Sequence, residues 1–447
     1  MPFSPARLYQ QLHSFPDAAC YWVAFSGGVD SHALLHALAL LRDRLKAEIG
    51  AVHVNHGLHV DAGEWEAHCR GMCADLAVQY VSLPVDARPV RGESPEAAAR
   101  EARYSALESW LPGGHCLLTA QHQDDQAETL LLQLLRGSGV KGLAAMPARA
   151  RLGGGHLLRP LLDVSRQALQ QYAIANRLHW VEDPSNRDIG LDRNFLRHRI
   201  LPELRKRWPA MPALLSRSAR HCAEAAMILE QLAEQDVMTL GGRGETLPVS
   251  GLLQLSPDRL RNALRYWLRE RCGTTPSTAV LARLVHDILG SRPDASPCVR
   301  WGGHEIRRYR DHLYLLRHLP GQHLTRRQNQ WLEWALAGPL ELPDAGGVLS
   351  VTRESGRGLR ALAGDGVRIS FRRGGERCRP AGRHHHHSLK KLFQEQGVPP
   401  WERGRIPLIY IGNELAAVAG YWVCEPFSVA PGEPGLVVQW SRAVVPL

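Results

Sequence analysis

Short apolar runs alternate with helical patterns through the first 200 residues, and this alternation limits the fold more than any other feature of the sequence. The apolar runs predict four strands, at Tyr21–Phe25, Gly50–Asn55, Val78–Leu83 and Cys116–Ala120. The segments that follow them predict four helices, at Ser31–Ala47, Asp61–Ala77, Ser94–Trp110 and Asp124–Leu135. Strand–helix–strand units of this kind build a parallel sheet through right-handed crossovers. Because such sheets bind ligands at the carboxyl ends of their strands, we expect the chemistry in the loops that follow the strands.

The pattern changes twice further along the chain. Two Gly-rich segments after Arg136, RGSGVKG and ARARLGGG, predict loops. Helical patterns follow at Trp208–Leu240 and Leu252–Gly290, and strand-like runs occur near the C-terminus at Pro407–Ile411, Leu415–Val423 and Gly435–Trp440. We therefore predict an α/β fold with three domains: a parallel-sheet domain at residues 1–207, a mostly helical middle domain at residues 208–343 and a small α+β C-terminal domain at residues 344–447.

The composition is that of a folded protein with a basic surplus. Of 447 residues, 44% are apolar and 22% are charged, which excludes a wholly disordered chain and a fibre. Lys and Arg number 54 against 44 Asp and Glu, and the net charge of +10 favours a polyanionic partner without establishing one. The nine cysteines form no CxxC pair, which favours a reducing compartment. With no signal-peptide core and no membrane-length apolar stretch, we expect a cytoplasmic protein without a membrane partner.

A phosphate-binding loop is predicted directly after the first strand. Two glycines allow the backbone to approach a phosphate, serine hydroxyls add donors, and the next helix offers its free N–H groups. The loop consists of Ser26, Gly27, Gly28, Val29, Asp30 and Ser31. Asp30 would repel a bare anion, so it indicates a Mg²⁺ ion on the phosphates. The alternative is a tight turn with Ser31 as the helix N-cap. The loop is neither a Walker A motif nor a GxGxxG motif.

The loop SGGVDS resembles the PP-loop of the N-type ATP pyrophosphatases, which split ATP between its α and β phosphates. Five further strings narrow the resemblance: HVNHGL at 53–58, AQHQDDQAET at 120–129, RGSG at 136–139, EDPSN at 182–186 and DRNFLR at 192–197. With them, the chain resembles the bacterial tRNA(Ile)-lysidine synthetase family in its long, three-domain form. Strings in the middle and C-terminal parts extend the resemblance over nearly the whole chain: DASPC at 294–298, EIRRY at 305–309, LKKLF at 389–393 and GVPPW at 397–401.

The resemblance implies a PP-loop ATP pyrophosphatase domain and a specific reaction. In this family, ATP activates the C2 oxygen of the wobble cytidine of tRNA(Ile) with a CAU anticodon, and the ε-amine of free lysine then displaces AMP. The implied substrates are ATP with Mg²⁺, lysine and that tRNA, whose flipped-out base must enter the site. Whether the enzyme is a homodimer is left open by the sequence.

Two carboxylates are the candidates for binding lysine. Asp125 and Glu128 lie three residues apart on a helix, so their carboxylates share one face at the end of a strand. The resemblance assigns lysine binding to both positions and makes Asp125 a candidate catalytic residue; His122 beside them is a further candidate. The plainer interpretation is acidic residues that complement a helix dipole. His53 and His56 are placed by the resemblance near the adenosine; a metal pair is the weaker alternative, because no third ligand is evident.

Several basic residues are candidates for phosphate or RNA contact. The resemblance brings an arginine of the third helix to the active site; we choose Arg100 over Arg103, three residues away. It also makes Arg193 a candidate catalytic residue and Arg197 its neighbour. Nine arginines lie between Arg353 and Arg383, a density that suits RNA phosphates. The predicted tRNA-binding residues are Arg197, Arg205, Arg372, Arg373, Lys390 and Lys391. The four histidines at 384–387 are interpreted as a loop, with metal binding as the alternative.

Other functions fit the sequence less well. A tRNA thiolase with a PP-loop needs paired cysteines or an iron–sulfur cluster, and no CxxC occurs. An amidotransferase-type synthetase needs an ammonia source, and no glutaminase domain is evident. A non-catalytic RNA-binding protein with a decayed ATP site is disfavoured by the complete SGGVDS loop and by Asp125 and Glu128.

Overall fold

The computed structural model describes residues 2–57, 62–88, 95–184, 188–242, 244–292, 295, 297–317, 331–342, 347–360 and 366–442. The chain divides into two compact units, Met1–Glu230 and Gln231–Leu447. The predicted domain boundary at residues 343 and 344 lies outside the described residues. The same holds for Leu58, Ser185, Asn186, Asp294 and Ser296, which belong to the strings quoted above.

The first unit is built on a six-stranded sheet with the order β3-β2-β1-β4-β6-β5. Its strands are β1 (Cys20–Ala24), β2 (Glu48–Asn55), β3 (Gln79–Pro84), β4 (Cys116–Leu118), β5 (Arg149–Leu152) and β6 (Gly155–Leu158). All neighbours pair in parallel except β5, which runs antiparallel to β6. The parallel α/β sheet and its first four strands are therefore confirmed.

Both loop predictions are wrong in part: the segment RGSGVKG includes most of a one-turn helix, Val140–Leu143. The segment ARARLGGG contains β5 and the turn into β6, because pairing at the edge of the sheet satisfies its backbone hydrogen bonds. Gly153 occupies the turn with φ +53°, and a Cβ there would lie 2.1 Å from the carbonyl oxygen of Glu108. The glycines that indicated a loop therefore mark the tight end of a hairpin.

Helices cover both faces of this sheet. They are α1 (Pro5–Leu12), α2 (Val29–Ala39), α3 (Ala62–Asp75), α4 (Pro95–Trp110), α5 (Gln123–Leu135), α6 (Val140–Leu143), α7 (Arg166–Ala175), α8 (Asp192–Phe195) and α9 (Leu201–Arg207). A 3₁₀ turn spans Arg42–Arg44, and a π-helical turn, Leu196–Ile200, joins α8 to α9.

Alternate residues of β1 enter two different cores. Val23 packs in the core formed with α1, α2, α3 and α7, whereas Trp22 packs in a second core that includes Leu107 and Leu111 of α4. This is the two-residue period of a strand buried on both faces. The sheet is thereby held rigidly, and its carboxyl edge becomes a fixed platform for the loops.

A long helix, α10 (Met211–Thr239), begins in the first unit and ends in the second, close to the predicted helix Trp208–Leu240. The second unit then begins with three α-helices, a π-helical segment at Leu284–Leu289 and an antiparallel sheet of order β7-β10-β9-β8. These elements are β7 (Thr246–Pro248), α11 (Val249–Gln254), α12 (Pro257–Cys272), α13 (Thr278–Arg283), β8 (Cys298–Trp301), β9 (His304–Tyr309) and β10 (His312–Arg317). Trp267 of α12 is buried at their core.

The remainder of the second unit consists of antiparallel strands and two short helices. They are β11 (Leu332–Glu333), β12 (Leu340–Leu342), β13 (Gly347–Ser355), β14 (Val367–Ser370), β15 (Arg377–Cys378), β16 (His387–Ser388), α14 (Leu389–Glu395), α15 (Pro400–Arg403), β17 (Leu408–Ile411), β18 (Glu414–Val418), β19 (Trp422–Val423) and β20 (Pro434–Arg442). The predicted run Leu415–Val423 is two strands, since Gly420 turns the chain with φ +74°. Cys378 and Cys424 form a disulfide here, and the other seven cysteines are free.

No helix in the described ranges is both long enough and apolar enough to cross a membrane.

Candidate functional site

The phosphate loop, Ser26–Ser31, joins β1 to α2 at the carboxyl edge of the sheet. Gly27 has φ +77°, and a Cβ there would lie 3.0 Å from the Sγ of Cys69, so the turn favours glycine. Gly28 is the N-cap of α2 and provides no side-chain acceptor. The interpretation of Ser31 as N-cap is therefore wrong: its Oγ donates to the Gly28 carbonyl at 3.0 Å. The amide groups of the first turn are left for an anion.

Asp30 lies in the first turn of α2 with one carboxylate oxygen unused. Its Oδ1 is buried and has no hydrogen-bond partner among the described residues, and its Oδ2 lies 3.6 Å from the Nε2 of His122. A buried carboxylate oxygen without a donor fits a hard cation such as Mg²⁺. No group of three His, Cys, Asp or Glu side chains with metal-ligand geometry exists in the described part of the chain. Asp30 therefore fits as one ligand of a metal ion whose other ligands are mainly phosphate oxygens.

His122 connects Asp30 to the start of α5. It is 2% exposed and is the N-cap of this helix: its Nδ1 accepts the amide N–H of Asp125 at 3.3 Å, and its own N–H donates to the Asp125 carboxylate at 3.0 Å. This reciprocal pairing is a capping box. Burial lowers the pKa of His122, but Asp125 and Asp30 outweigh burial and raise it. When the ring is protonated, its Nδ1 can no longer accept the amide N–H of Asp125. The helix cap is then replaced by ion contacts with the carboxylates of Asp125 and Asp30.

Asp125 and Glu128 form a buried cluster with two arginines from the segment that carries α8 and the π turn. The Nη2 atoms of Arg193 and Arg197 donate to Oδ1 of Asp125 at 3.0 Å and 2.9 Å. Their Nε atoms donate to the two oxygens of Glu128 at 2.8 Å and 2.7 Å. We call these four residues the arginine–carboxylate cluster. Its two positive and two negative charges balance, which reconciles the burial of Glu128, 1% exposed, with its ionisation.

Arg193, the predicted catalytic residue, and Arg197, the predicted tRNA-binding residue, therefore contact the same two carboxylates. Burial raises the pKa of Asp125, but His122, Arg193 and Arg197 outweigh burial and lower it. Arg205, predicted to bind tRNA, forms an ion pair with Asp124, whose other oxygen accepts the N–H of Arg166 at 2.9 Å. Sequence reasoning did not reveal these pairings, because each joins residues more than 40 positions apart.

The two histidines at the end of β2, His53 within the strand and His56 just after it, have different environments. His53 is buried and its ring shares a 2.8 Å hydrogen bond with the Phe25 carbonyl, just before the phosphate loop. His56 faces Arg103, whose Nη2 lies 3.1 Å from its Nε2. Burial, Arg103 and His53 lower the pKa of His56 to about 4, so its ring is neutral near pH 7. Both rings lie beside the phosphate-loop edge of the sheet.

Helix α4 brings a further set of polar groups to this edge. Arg100, the preferred catalytic arginine, lies over the ring of Tyr104 at 5.0 Å, whereas Arg103 contacts His56. Tyr104 also interacts with Arg159, which follows β6, and with Gln121, which precedes His122. Sequence reasoning missed Tyr104, Gln121 and Arg159. The segment ARARLGGG is predicted as a loop, so the sequence does not reveal β6, the strand that ends just before Arg159.

The predicted tRNA-binding residues of the second unit are solvent-accessible to different degrees. Lys390 and Lys391 are exposed on α14 and have no acidic partner within the described ranges. Arg372 lies 3.7 Å from Glu376. Arg373 stacks over Trp331 at 5.0 Å, beside Arg368 at 4.6 Å. A half-exposed indole with two guanidinium groups is a surface suited to RNA.

Three family models match consecutive parts of the chain. A PP-loop domain matches residues 4–204, a TilS substrate binding domain matches residues 247–314, and a TilS substrate C-terminal domain matches residues 367–440. The phosphate loop, both histidines and the arginine–carboxylate cluster all lie within the first match.

Curated relatives match over nearly the full length. The tRNA(Ile)-lysidine synthase of Coxiella burnetii is 43% identical over 445 residues, which cover 99% of this chain and 97% of the relative. The enzyme of the same name from Alkalilimnicola ehrlichii is 42% identical and covers 96% of both chains. That of Methylococcus capsulatus is 43% identical and covers 94% of this chain and 96% of the relative. The chain therefore belongs to the tRNA(Ile)-lysidine synthase family.

Proposed function

We propose that this protein joins free lysine to C2 of the wobble cytidine of tRNA(Ile) with a CAU anticodon. In the first step, the C2 oxygen attacks the α-phosphate of ATP and pyrophosphate leaves. In the second, the ε-amine of lysine attacks C2, the C–O bond breaks and AMP leaves with that oxygen. The product is lysidine, which pairs with A, so the tRNA reads AUA and is charged with isoleucine. One observation carries the proposal. His122 contacts Asp30 of the phosphate loop and also contacts Asp125, one of the two carboxylates that bind cations.

The phosphate loop and its neighbours would bind ATP. The amides of the first turn of α2, from Val29 to Ser31, would meet the phosphates, and His53 and His56 lie on the side of β2, where the adenosine would be held. Asp30 would hold Mg²⁺ through its unpaired Oδ1. The ion would neutralise charge on the phosphates and on the leaving pyrophosphate.

The arginine–carboxylate cluster would bind lysine by exchanging partners. Asp125 and Glu128 are the only site carboxylates of the described residues that touch two arginines each. A lysine ammonium that approaches them competes with Arg193 and Arg197 for the same oxygens. Guanidinium groups displaced in this way are free to stabilise negative charge on the phosphates, which gives Arg193 its catalytic role. Substrate binding and transition-state stabilisation are thereby linked.

The tRNA would be held by basic residues of both units. Arg205 is half exposed beside Asp124, so it can also meet a phosphate, as can Arg197 once it leaves Glu128. Arg372, Arg373, Lys390 and Lys391 would hold a part of the tRNA outside the anticodon. We propose that the functional domains are residues 1–207, 208–343 and 344–447; each of the three family matches falls within one of them.

Sulfur transfer, the main alternative within PP-loop enzymes, is disfavoured by the described cysteines. Cys69 and Cys73 lie on the buried face of α3 and are fully buried in the core. Burial raises the pKa of each thiol to about 12, so neither is a thiolate near neutral pH. A sulfur carrier requires the opposite environment.

The test is transfer of labelled lysine to RNA. Purified protein is mixed with ATP, Mg²⁺ and a transcript of tRNA(Ile) with a CAU anticodon, beside a tRNA(Met) transcript with the same anticodon. We expect label at the wobble cytidine of the first only, with one AMP formed per lysine joined. The Asp30→Ala variant should form no adenylate. Conversion of ATP to AMP without lysine transfer would contradict the substrate assignment, and tRNA binding without ATP turnover would favour a binding protein. Sedimentation of the same sample distinguishes a monomer from a homodimer.

A further inference from the structure

A buried arginine at the carboxyl edge of the sheet has no carboxylate partner. Arg159 is 6% exposed and follows β6 directly. Its Nη1 donates to the Pro147 carbonyl at 2.8 Å and its Nε to the Gln121 side-chain oxygen at 3.2 Å. In the described part of the chain it forms no ion pair with Asp or Glu. Burying an unpaired cation is costly, and this suggests that an anion completes the site.

Tyr104 stands next to this guanidinium. Its oxygen takes part in hydrogen bonds with Arg159 and Gln121, and Arg100 lies over its ring at 5.0 Å. Burial raises the pKa of Tyr104, but Arg100 and Arg159 outweigh burial and lower it. Two cations therefore flank one phenol with no acidic group paired to either among the described residues. We call Arg100, Tyr104 and Arg159 the tyrosine–arginine cluster.

The cluster adjoins the reacting groups through consecutive residues. The parallel register places Leu118 of β4 opposite Leu158 of β6, so the residues after them leave the same edge side by side. Gln121 contacts Arg159, and the next residue, His122, contacts Asp30 and Asp125. Two consecutive residues, Gln121 and His122, thus connect the cluster to the carboxylates that would bind lysine.

The strand order places Arg159 of this cluster on the opposite side of β1 from β2. The phosphate loop follows β1, and the two histidines lie in the last part of β2 and just after it, whereas β4 and β6 lie on the other side of β1. The amides of α2 and Asp30 already serve the anion of the phosphate loop, so the tyrosine–arginine cluster is available for a second anion. The remaining polyanion of the proposed reaction is the RNA itself.

We propose that Arg100 and Tyr104, supported by Arg159, bind the phosphodiester group beside the wobble cytidine and so hold the flipped-out nucleotide in place. Arg100 and the phenol O–H contact the phosphate, and Arg159 is a positioning residue that orients the phenol. Guanidinium groups and a hydroxyl donor are the usual ligands of an RNA phosphate. The inference rests on the proposed function, because it needs an RNA substrate whose wobble base enters this site.

Kinetics of conservative variants test the subsite. Tyr104→Phe keeps the ring and Arg100→Gln changes an exposed side chain, so both should fold. We expect each to raise the KM for tRNA about tenfold, the loss of one charge-assisted hydrogen bond, with the KM for ATP and for lysine changed less than twofold. Arg159→Lys should give a smaller rise in the same constant than Arg159→Met. Matched controls are Tyr9→Phe on α1 and Arg151→Gln on β5, which should match the wild type.

A chemical change in the RNA identifies the contacted group. The tRNA is annealed from two synthetic halves with a neutral methylphosphonate on either side of the wobble cytidine. At one of the two positions the methylphosphonate should lower the kcat/KM of the wild type about tenfold, whereas Arg100→Gln, which already lacks the cationic contact, should be lowered less than twofold. Equal losses in wild type and variant at both positions would overturn the proposal, as would a raised KM for ATP with an unchanged KM for tRNA. If the wild type itself joins no lysine to natural tRNA, the proposed function fails instead.

Discussion

At the scale of single residues, the balance of charge in the arginine–carboxylate cluster determines how the site treats lysine. Replacing Glu128 by Gln removes one negative charge and leaves Arg193 and Arg197 to share Asp125. The ammonium of lysine then meets an uncompensated pair of cations, so we expect the KM for lysine to rise at least about tenfold while the KM for ATP changes little. Glu203→Gln is the matched control, because Glu203 is exposed and, among the described residues, its ion pair is with Lys206 on the same helix. Equal effects on the lysine and ATP constants would contradict the assignment.

His122 should make the stability of the first unit depend on pH. Asp125 and Asp30 raise its pKa above the ordinary value of 6.5, so its ion contacts stabilise the fold fully below that value. This stabilisation is lost as the pH rises through the raised pKa. His122→Asn keeps a good N-cap and removes the titration. The free energy of unfolding in urea should therefore differ most between wild type and variant below pH 6.5, and the difference should shrink at higher pH. A difference that stays constant from pH 5.5 to 8.5 would contradict this role.

At the scale of secondary-structure elements, the turn between β1 and α2 should tolerate no side chain at its first glycine. Gly27→Ala places a Cβ on a residue with φ +77° and against Cys69, so we expect a loss of about 1 kcal/mol or more in stability. The turn can relax only by moving the amides that face the phosphates, so the KM for ATP should rise as well. Gly63→Ala in α3 is the control, because no atom lies within 4 Å of its added Cβ and alanine favours a helix. A Gly27→Ala enzyme with wild-type stability and ATP affinity would show that the turn has room.

Elements with a strong local pattern could be predicted from the sequence, and contacts between distant elements could not. The strand β1 was placed within one residue, because five consecutive apolar residues precede a Gly-Gly turn. The β5–β6 hairpin was missed, since short strands rich in Arg and Gly gain their structure from pairing with β4. In the site, the spacing of Asp125 and Glu128 predicted a shared helix face. Their neutralisation by Arg193 and Arg197 depends on how α8 packs against α5, which no local pattern specifies.

At the scale of the whole molecule, the net charge of +10 favours tRNA binding, but the number of phosphate contacts determines how strongly salt weakens it. Each phosphate neutralised by a lysine or arginine releases a counterion, so the logarithm of affinity falls with the logarithm of salt concentration in proportion to such contacts. Lys390 and Lys391 are exposed without acidic partners in the described ranges, so both are free to meet phosphates. The Lys390→Gln, Lys391→Gln double variant should bind tRNA(Ile) more weakly. The slope of the logarithm of affinity against the logarithm of salt concentration should become shallower by up to about 2. Filter binding at several KCl concentrations measures both quantities.

The same titration separates a tRNA-binding surface from general basicity. Lys206→Gln removes one positive charge as well, but Lys206 is paired with Glu203 at 2.6 Å, so we expect its slope to match the wild type. If the double variant and this control behave alike, net charge alone governs binding and α14 has no special part in it. If only the double variant changes, α14 contacts the RNA. The kcat of the double variant for lysine transfer at saturating tRNA should then equal that of the wild type. The proposed reacting groups all lie in the first unit, and bound tRNA presents the same cytidine to them.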